Sequence, residues 1–461
     1  MGRNIETMKK SKYTYLLMIE PGKLLMYNSY RGCSSFIKFY GDDAVIAANC
    51  IKTPDEYINT NVYEILVNEG MLVNDRIDED EICTQIAWKR IFYPGLNLII
   101  MPTEDCNFRC SYCYEEHKNG TMSINTAESI VKYVTKNISK YTELHVVWFG
   151  GEPLMSKETI DLILHISDEL IKICSCARKK YSADIITNGF HLTHATFEQL
   201  LSRKVFSYQV TIDGLADTHD RYRFLSTGEK THDRIISNLL EIKNNCNKRY
   251  FNIVIRTNIT SEMETSLYEH YADLSKKFSD DPRFSFFFRP VGDWGGDNVK
   301  KLCEHVYDTF SFRKIYEKIA DMQSNLNLNF DRFLPFYDNC TCSACYENSY
   351  IVGYDGKLYK CSCHFDEPNN KVGNLDVNGN MVLDTEKNLM WVKKPKIKET
   401  CKTCFFAPAC LNMSCPIYAN EIRRIKNDID DCPYEKKYIK ETLCLLEKCG
   451  CFKTISLSDP E

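Results

Sequence analysis

Three cysteines, Cys106, Cys110 and Cys113, stand at CxxxCxxC spacing in CNFRCSYCYEE. Thiolates this close can each bind one iron of a 4Fe-4S cube and leave the fourth iron without a protein ligand. An open metal position serves catalysis, whereas a closed four-thiolate set suits structure or electron storage. A zinc site is the competing reading; it would want a fourth ligand nearby, and His117 is the one candidate. A second cysteine-rich run lies downstream. Cys345 is followed by Gly356 and Cys361 in CYENSYIVGYDGKLYKC, then by Cys401, Cys404 and Cys410 in CKTCFFAPAC, then by Cys415 and Cys432, with Cys340 and Cys342 just upstream. A zinc ribbon competes for Cys401 and Cys404, and Asp355-Gly356 reads as a hairpin turn presenting the thiol of Cys361.

Cysteine is the compositional outlier, with 23 among 461 residues. Three fall between Cys106 and Cys113 and thirteen between Cys340 and Cys451, while Cys33, Cys50, Cys83, Cys174, Cys176, Cys246 and Cys303 are scattered and read as buried or incidental thiols. A secreted disulfide framework is disfavoured because the N-terminus has neither an apolar h-region nor a small-residue cleavage site. No run of 18 apolar residues exists, so the expectation is a cytoplasmic chain with no membrane association and with reduced thiols that hold metal. The net charge is -5 with both signs interspersed, and no basic stripe argues for nucleic acid.

Three zones must position these groups. Over residues 1–95, Tyr13 to Glu20 and Lys23 to Tyr30 alternate about a Pro-Gly turn as a β-hairpin, and Tyr57, Val62, Ile65 and Leu66 are spaced as on a helix. The second zone, 96–330, repeats strand then helix. Its strands are Leu96 to Met101, His145 to Phe149, Asp184 to Thr187, Tyr208 to Ile212, Asn252 to Thr257 and Phe284 to Arg289, with amphipathic helices such as Ser156 to Cys174 and His232 to Cys246 between them. That is an α/β architecture closing as a partial (β/α)6 barrel. Cys106, then Gly150, Gly151 and Glu152, then Asn188, Asp213 and Asn258 each follow a strand directly, which gathers them at the carboxyl ends where parallel folds keep their sites. The third zone, 331–461, loses helical period, and metal ligation would supply much of its folding free energy.

CNFRCSYCY resembles the signature of the radical S-adenosylmethionine (SAM) superfamily. The resemblance implies that the open iron is chelated by the amino and carboxylate groups of SAM, which is cleaved to methionine and a 5'-deoxyadenosyl radical that abstracts a substrate hydrogen. Tyr112 resembles the family residue packed near adenine. WFGGEP, from Trp148 to Pro153, is similar to the family's GGEP turn, in which Gly150, Gly151 and the Glu152 carboxylate meet the SAM ammonium. ITNG and TIDG resemble the family's third and fourth strand ends, placing Asn188 and Asp213 toward ribose or substrate; either could merely shape a turn. Arg256 and Arg289 are weaker candidates for SAM contacts.

The downstream cysteines resemble the SPASM extension, which implies two auxiliary 4Fe-4S clusters and three in all. The first would take Cys345, Cys361 and Cys415, with Cys340 or Cys342 as fourth ligand or an open iron for a substrate thiolate. The second would take Cys401, Cys404, Cys410 and Cys432. Four residues separate Cys410 from Cys415 where the family has three, and Cys363, Cys444, Cys449 and Cys451 fall outside the pattern as spare thiols. The closest resemblance is to SPASM enzymes that mature ribosomally made peptides, of the sactionine-synthase kind. It implies a crosslinking reaction, a thioether from cysteine sulfur to carbon, on a precursor peptide, with electrons from a flavodoxin- or ferredoxin-like donor. The leading zone, winged-helix-like, would recognise the leader peptide by adding it as a strand. Formylglycine formation in a sulfatase is the rival reaction, and a non-catalytic iron-sulfur electron-transfer protein is the rival of another class.

Overall fold

The computed structural model describes residues 7–31, 35–117, 120–291, 302, 313–326, 328, 342–392, 399–410 and 434–457. The chain divides into two units: Met1–Phe92 with Leu334–Cys345 and Lys393–Glu461, and Tyr93–Phe333 with Tyr346–Val392. Residues 331–461 are therefore shared between the two units.

In the first unit, β1 (Met8–Lys10), β2 (Thr14–Glu20), β3 (Lys23–Asn28) and β4 (Phe36–Tyr40) are followed by α1 (Gly41–Lys52), α2 (Asn61–Asn68), β5 (Leu72–Asn74) and α3 (Glu79–Ile91). The expected hairpin is β2 paired antiparallel with β3, turning at Gly22 with φ 81°. β3 also pairs with β4, and a short strand Lys453–Thr454 closes the sheet beyond β4, which leaves β2 as the outer strand of this four-stranded order. The helical spacing read across Tyr57 to Leu66 is interrupted. Pro54–Tyr57 forms a 3-10 turn, Asn59 takes φ 66°, and α2 begins afresh with Thr60 as its cap, its hydroxyl accepting from the Tyr63 amide. Leu24, Met26, Ile37 and Phe39 from the sheet meet Ala47, Cys50, Val62 and Leu66 from α1 and α2 in one core.

The second unit holds a ten-stranded sheet. Six strands, β6 (Leu96–Ile100), β7 (Glu143–Trp148), β8 (Lys180–Thr187), β9 (Val205–Thr211), β10 (Asn252–Ile259) and β11 (Phe284–Pro290), run parallel in sequential order. Helices fill the crossovers: α4 (Ile124–Asn137), α5 (Lys157–Cys176), α6 (His194–Ser202), α7 (Ala216–Tyr222), α8 (His232–Asn245) and α9 (Leu267–Phe278). This is the α/β partial barrel expected from the strand-helix repeat. The crossover helices start on side-chain caps where the sequence supplies them, Ser123 for α4, a Ser156–Thr159 capping box for α5 and Thr193 for α6.

Burial alternates strictly along β6, β7 and β8. Leu96, Leu98, Ile100, Leu144, Val146, Trp148, Tyr181, Ala183 and Ile185 are at most 3% exposed. The intervening positions are mostly half-buried and mix polar residues, Asn97, His145, Ser182 and Asp184, with Ile99, Val147 and Ile186; His145 is bonded to Ser182 (3.0 Å) and paired with Asp184 (3.3 Å). One face of these three strands is thus fully buried, and the other is half-buried and of mixed polarity.

The third zone departs from expectation in the stretch that belongs to this unit. β12 (Ser349–Val352) pairs parallel with β6, and β13 (Lys357–Tyr359), β14 (Lys371–Leu375) and β15 (Met381–Leu383) continue the same sheet antiparallel. These short strands gain hydrogen bonds from an existing sheet edge, so they form without the long periodic pattern a separate core would require. The hairpin predicted at Asp355-Gly356 is present, joining β12 to β13 with Gly356 at φ 76°.

Candidate active site at the carboxyl ends of the strands

The loop after β6 carries Cys106, Cys110 and Cys113. Two flanking segments fix its backbone. On one side, Arg109 and Ser111 amides donate to Phe224 and Tyr222 carbonyls (2.9 Å each), the Ser226 amide donates to Asn107 (2.8 Å), and Phe108 bridges Leu225. On the other, the turn after β7 sends the Gly151 amide to Thr103 (3.2 Å) and the Glu152 amide to Asp105 (2.9 Å). Gly150 is at φ 126°, and a Cβ there would stand 2.2 Å from the Thr103 carbonyl oxygen. The Gly-Gly pair thus admits the cysteine loop's own backbone.

Cys106 and Cys110 are buried and Cys113 is half-buried. Burial is the main cause pushing all three thiols up, Cys113 to about 12; neighbouring anionic groups add to it, while at Cys110 the Arg223 charge opposes it. As bare groups they are protonated, and holding them as thiolates takes a strongly cationic partner such as a metal ion or an iron-sulfur cluster. Among the described residues no three His, Cys, Asp or Glu side chains converge on one ion-sized point. Thiolates that each bind a different iron of a cluster need not converge.

Glu152 is 1% exposed. Its carboxylate accepts from Thr187 Oγ1 (2.6 Å) and the Leu154 amide (2.9 Å) on one oxygen and from the Asn188 amide (2.6 Å) on the other. That leaves about one lone-pair position for a ligand. Burial pushes its carboxyl up, and the three hydrogen bonds oppose that. Asn188 in turn donates from Nδ2 to Asn107 Oδ1 (2.8 Å), so Glu152 and Asn188 are brought together and tied to the cysteine loop. The other amide hydrogen-bonding atom of this pair, Asn107 Nδ2, is buried and without a partner among the described residues.

Tyr112 and Asp213 are also brought together. The Tyr112 hydroxyl donates to Asp213 Oδ2, and accepts from Arg223 Nη1 (2.8 Å) and Asn258 Nδ2 (3.2 Å). Asp213, with no exposed surface, accepts the Asn258 amide on Oδ1 (2.7 Å), while its own amide donates to His219 Nδ1 (3.1 Å). Burial pushes the Asp213 carboxyl up, and the Arg223 charge opposes it. Arg256 reaches Asn258 Oδ1 through Nε (2.8 Å), and both Arg256 and Arg289 lie over Phe287.

Sequence reasoning did not single out Arg223, Asn107 or Thr187. Asn107 and Thr187 lie inside the CNFRCSYCY and ITNG motifs, but their roles, like that of Arg223, appear only in tertiary contacts to segments distant in sequence. The same holds for Asn370, which is fully buried. Its Oδ1 accepts the Lys360 and Cys361 amides (3.0 and 2.7 Å) and its Nδ2 donates to the Cys361 and His364 carbonyls (2.8 Å each). Cys361 is thereby held just past β13.

A small open cleft lies beside the cysteine loop, lined by Tyr114, Glu115, His117, Cys363 and Asp366 among others. Burial, then the Glu104 and Cys363 charges, push the Glu115 carboxyl up to about 8. Cys363, outside the expected ligand pattern, has its thiol drawn down to about 7, chiefly by a hydrogen bond with Cys361.

The remaining expected ligands are placed as follows. In the first unit Cys345 is buried and Cys342 exposed, with the Cys345 amide donating to the Cys342 carbonyl (2.9 Å). Cys401, Cys404 and Cys410 are half-buried in the same unit, where Cys404 packs against Tyr13, Cys83, Ala87 and Ala407. Cys340, Cys415 and Cys432 lie outside the described residues. Of the scattered thiols, Cys50, Cys83, Cys174 and Cys246 are buried and Cys176 is exposed.

Residues 100–269 match the radical SAM superfamily. The radical SAM cyclopropyl synthase TigE of Paramaledivibacter caminithermalis is 28% identical over 228 residues, which take in 43% of this chain and 45% of that protein, under half its length. The cysteine-type anaerobic sulfatase-maturating enzyme of Clostridium perfringens is 23% identical over 349 residues, 69% of this chain and 88% of that protein. Among solved structures, native anSMEcpe with bound AdoMet and the Cp18Cys peptide gives a TM-score of 0.56 at 20% identity, covering 77% of this chain and 99% of that one, which bears on the fold. The superfamily's cofactors are a 4Fe-4S cluster and SAM. With three thiols at the carboxyl end of the first of six parallel strands and inside the matched region, residues 100–269 carry a radical SAM domain.

Proposed function

We propose that this chain is a peptide maturase. In it Cys106, Cys110 and Cys113 hold the SAM-binding cluster, and the reaction installs an intramolecular crosslink, a thioether, in a ribosomally made precursor. The observation that carries the reading is the cysteine loop pinned between the Gly150–Glu152 turn and the Tyr222–Ser226 segment, with an open cleft beside it. When bound, the cluster and SAM supply a 5'-deoxyadenosyl radical that abstracts a substrate hydrogen. The chain's own residues orient and exclude water. Glu152 and Asn188 fix the β7 and β8 ends against the loop, and Tyr112, Asp213 and Asn258 fix the β9 and β10 ends. The cleft lined by Tyr114, Glu115 and Cys363 gives a peptide segment access to that centre.

Peptide and protein substrates are supported by the named activity of the sulfatase-maturating relative, and ring-forming chemistry by that of TigE. The sulfatase relative covers more of the chain, which keeps formylglycine formation as the second reading. The auxiliary clusters are part of the proposal, one on Cys342, Cys345, Cys361 and Cys415 and one on Cys401, Cys404, Cys410 and Cys432, with a flavodoxin- or ferredoxin-like donor supplying electrons. Leader recognition falls to residues 1–95, where β2 is the outer strand of its sheet and exposes Met18 and Ile19, an edge of the kind that takes up an added strand. Mass spectrometry of a cysteine-bearing precursor after anaerobic turnover tests this. Loss of two hydrogens per crosslink is the expected product; formylglycine in a sulfatase peptide with the precursor untouched replaces this reading with the second.

A further inference from the structure

A buried guanidinium stands behind the cysteine loop. The Arg223 side chain is 9% exposed and its Nη1 lies 4.0 Å from Asp213 Oδ2. Nη1 donates to the Tyr112 hydroxyl (2.8 Å), and the guanidinium carbon sits 5.7 Å from the centre of the Phe108 ring. Nε is buried without a hydrogen-bond partner among the described residues. The flanking residues Tyr222 and Phe224 accept the amides of Ser111 and Arg109, so Arg223 is registered opposite Cys110 on the segment that clamps the loop.

A guanidinium stays charged at physiological pH, and burying it is costly unless anionic groups face it. Asp213 is the near carboxylate, but it is at ion-pair distance rather than hydrogen-bonded to the guanidinium, and it already accepts from Tyr112 and Asn258. Glu152, the other buried carboxylate on this side, is taken up by Thr187, Leu154 and Asn188. A cluster bound through three thiolates brings net negative charge to the same place, and reduction makes it more negative.

We propose that Arg223 is a positioning residue whose fixed positive charge behind Cys110 raises the reduction potential of the cluster held by Cys106, Cys110 and Cys113. The proposal rests on those three cysteines being the ligands. A unit charge ~10 Å from the added electron, at an effective dielectric of ~20, changes the reduction equilibrium by at least about tenfold, and tenfold is ~59 mV for a one-electron couple.

The test is an EPR-monitored redox titration of the anaerobically reconstituted full-length holoenzyme, following the signal that responds to added SAM. Arg223→Gln keeps N–H donors and removes the charge; Arg223→Lys keeps the charge and removes the planar fork. The expected result is about a tenfold lower reduced-to-oxidised ratio at fixed potential for Arg223→Gln and a near wild-type ratio for Arg223→Lys. A wild-type potential in Arg223→Gln at unchanged iron content overturns the proposal, as does a fall in Arg223→Lys equal to that in Arg223→Gln. If Arg223→Gln does not retain iron, Arg223→Met takes its place: a tenfold lower ratio there with a near wild-type ratio in Arg223→Lys supports a charge effect, and a wild-type ratio in Arg223→Met overturns it. Failure of the ligand assignment reads differently, as iron and the SAM-responsive signal surviving replacement of all three cysteines by alanine.

Discussion

The carbonyl oxygen of Asp105 lies 2.2 Å from where a Cβ on Gly151 would stand. Backbone meets backbone there, with no flexible side chain to swing aside, so an added methyl must displace the cysteine loop itself. Gly151→Ala is expected to lower stability by at least about 2 kcal/mol and to abolish iron binding at the Cys106 loop, read by thermal melting and by iron analysis after reconstitution. Normal iron content in Gly151→Ala contradicts this packing.

Tyr112→Phe removes a hydroxyl that joins Asp213, Arg223 and Asn258. It leaves buried polar partners unsatisfied, at a cost of about 1–3 kcal/mol. The expected outcome is a lowered urea midpoint together with slower 5'-deoxyadenosine formation at saturating SAM. A variant with both quantities at wild-type values shows that the hydroxyl network is not structural.

Burial holds the His270 imidazole down to about 3, with Thr257 as its hydrogen-bond partner, and burial lowers His219 well below its ordinary range. For a base whose folded pKa is depressed, the unfolded chain takes up the proton first. Stability is therefore full above about pH 6.5 and is lost as pH falls toward 3, at about 1.4 kcal/mol per pH unit for each proton. Urea unfolding between pH 7.5 and pH 5 is expected to show this decline, and His270→Gln to show a shallower one. Equal slopes in the two proteins remove His270 as a cause.

The six parallel strands and their crossover helices were legible because β6 to β8 bury alternate residues, β10 and β11 are short runs of mostly buried residues, and the helices between them keep helical period. The β2–β3 hairpin was legible from its Pro-Gly turn. β12 to β15 were not, since strands of three to five residues added to an existing sheet edge need no periodic pattern of their own. The run from Tyr57 to Leu66 kept helical spacing across a break made by the end of the 3-10 turn at Tyr57, the positive φ of Asn59 and the new cap at Thr60. In the site, Gly150, Gly151 and Glu152 were found by motif, but that the glycines make room for Thr103 and Asp105 depends on a loop from another strand. Arg223 and Asn370 were invisible for the same reason: a single polar residue in a connecting segment has no spacing to betray it.

Asn370 offers a check on the Cys361 turn. Asn370→Ala strips four hydrogen bonds from residues 360–364. It is expected to lower the iron content of the reconstituted protein by about one cluster, ~4 iron atoms, while the SAM-responsive EPR signal persists. Loss of that signal with retention of the remaining iron contradicts the separation of roles.

Whether Cys106, Cys110 and Cys113 hold the SAM-cleaving cluster is decided by replacing all three with alanine and, after anaerobic reconstitution and reduction, measuring iron content and 5'-deoxyadenosine released from SAM. A loss of about four iron atoms per chain and no 5'-deoxyadenosine above background are expected. Undiminished iron, or continued release of 5'-deoxyadenosine, contradicts that role for the three cysteines.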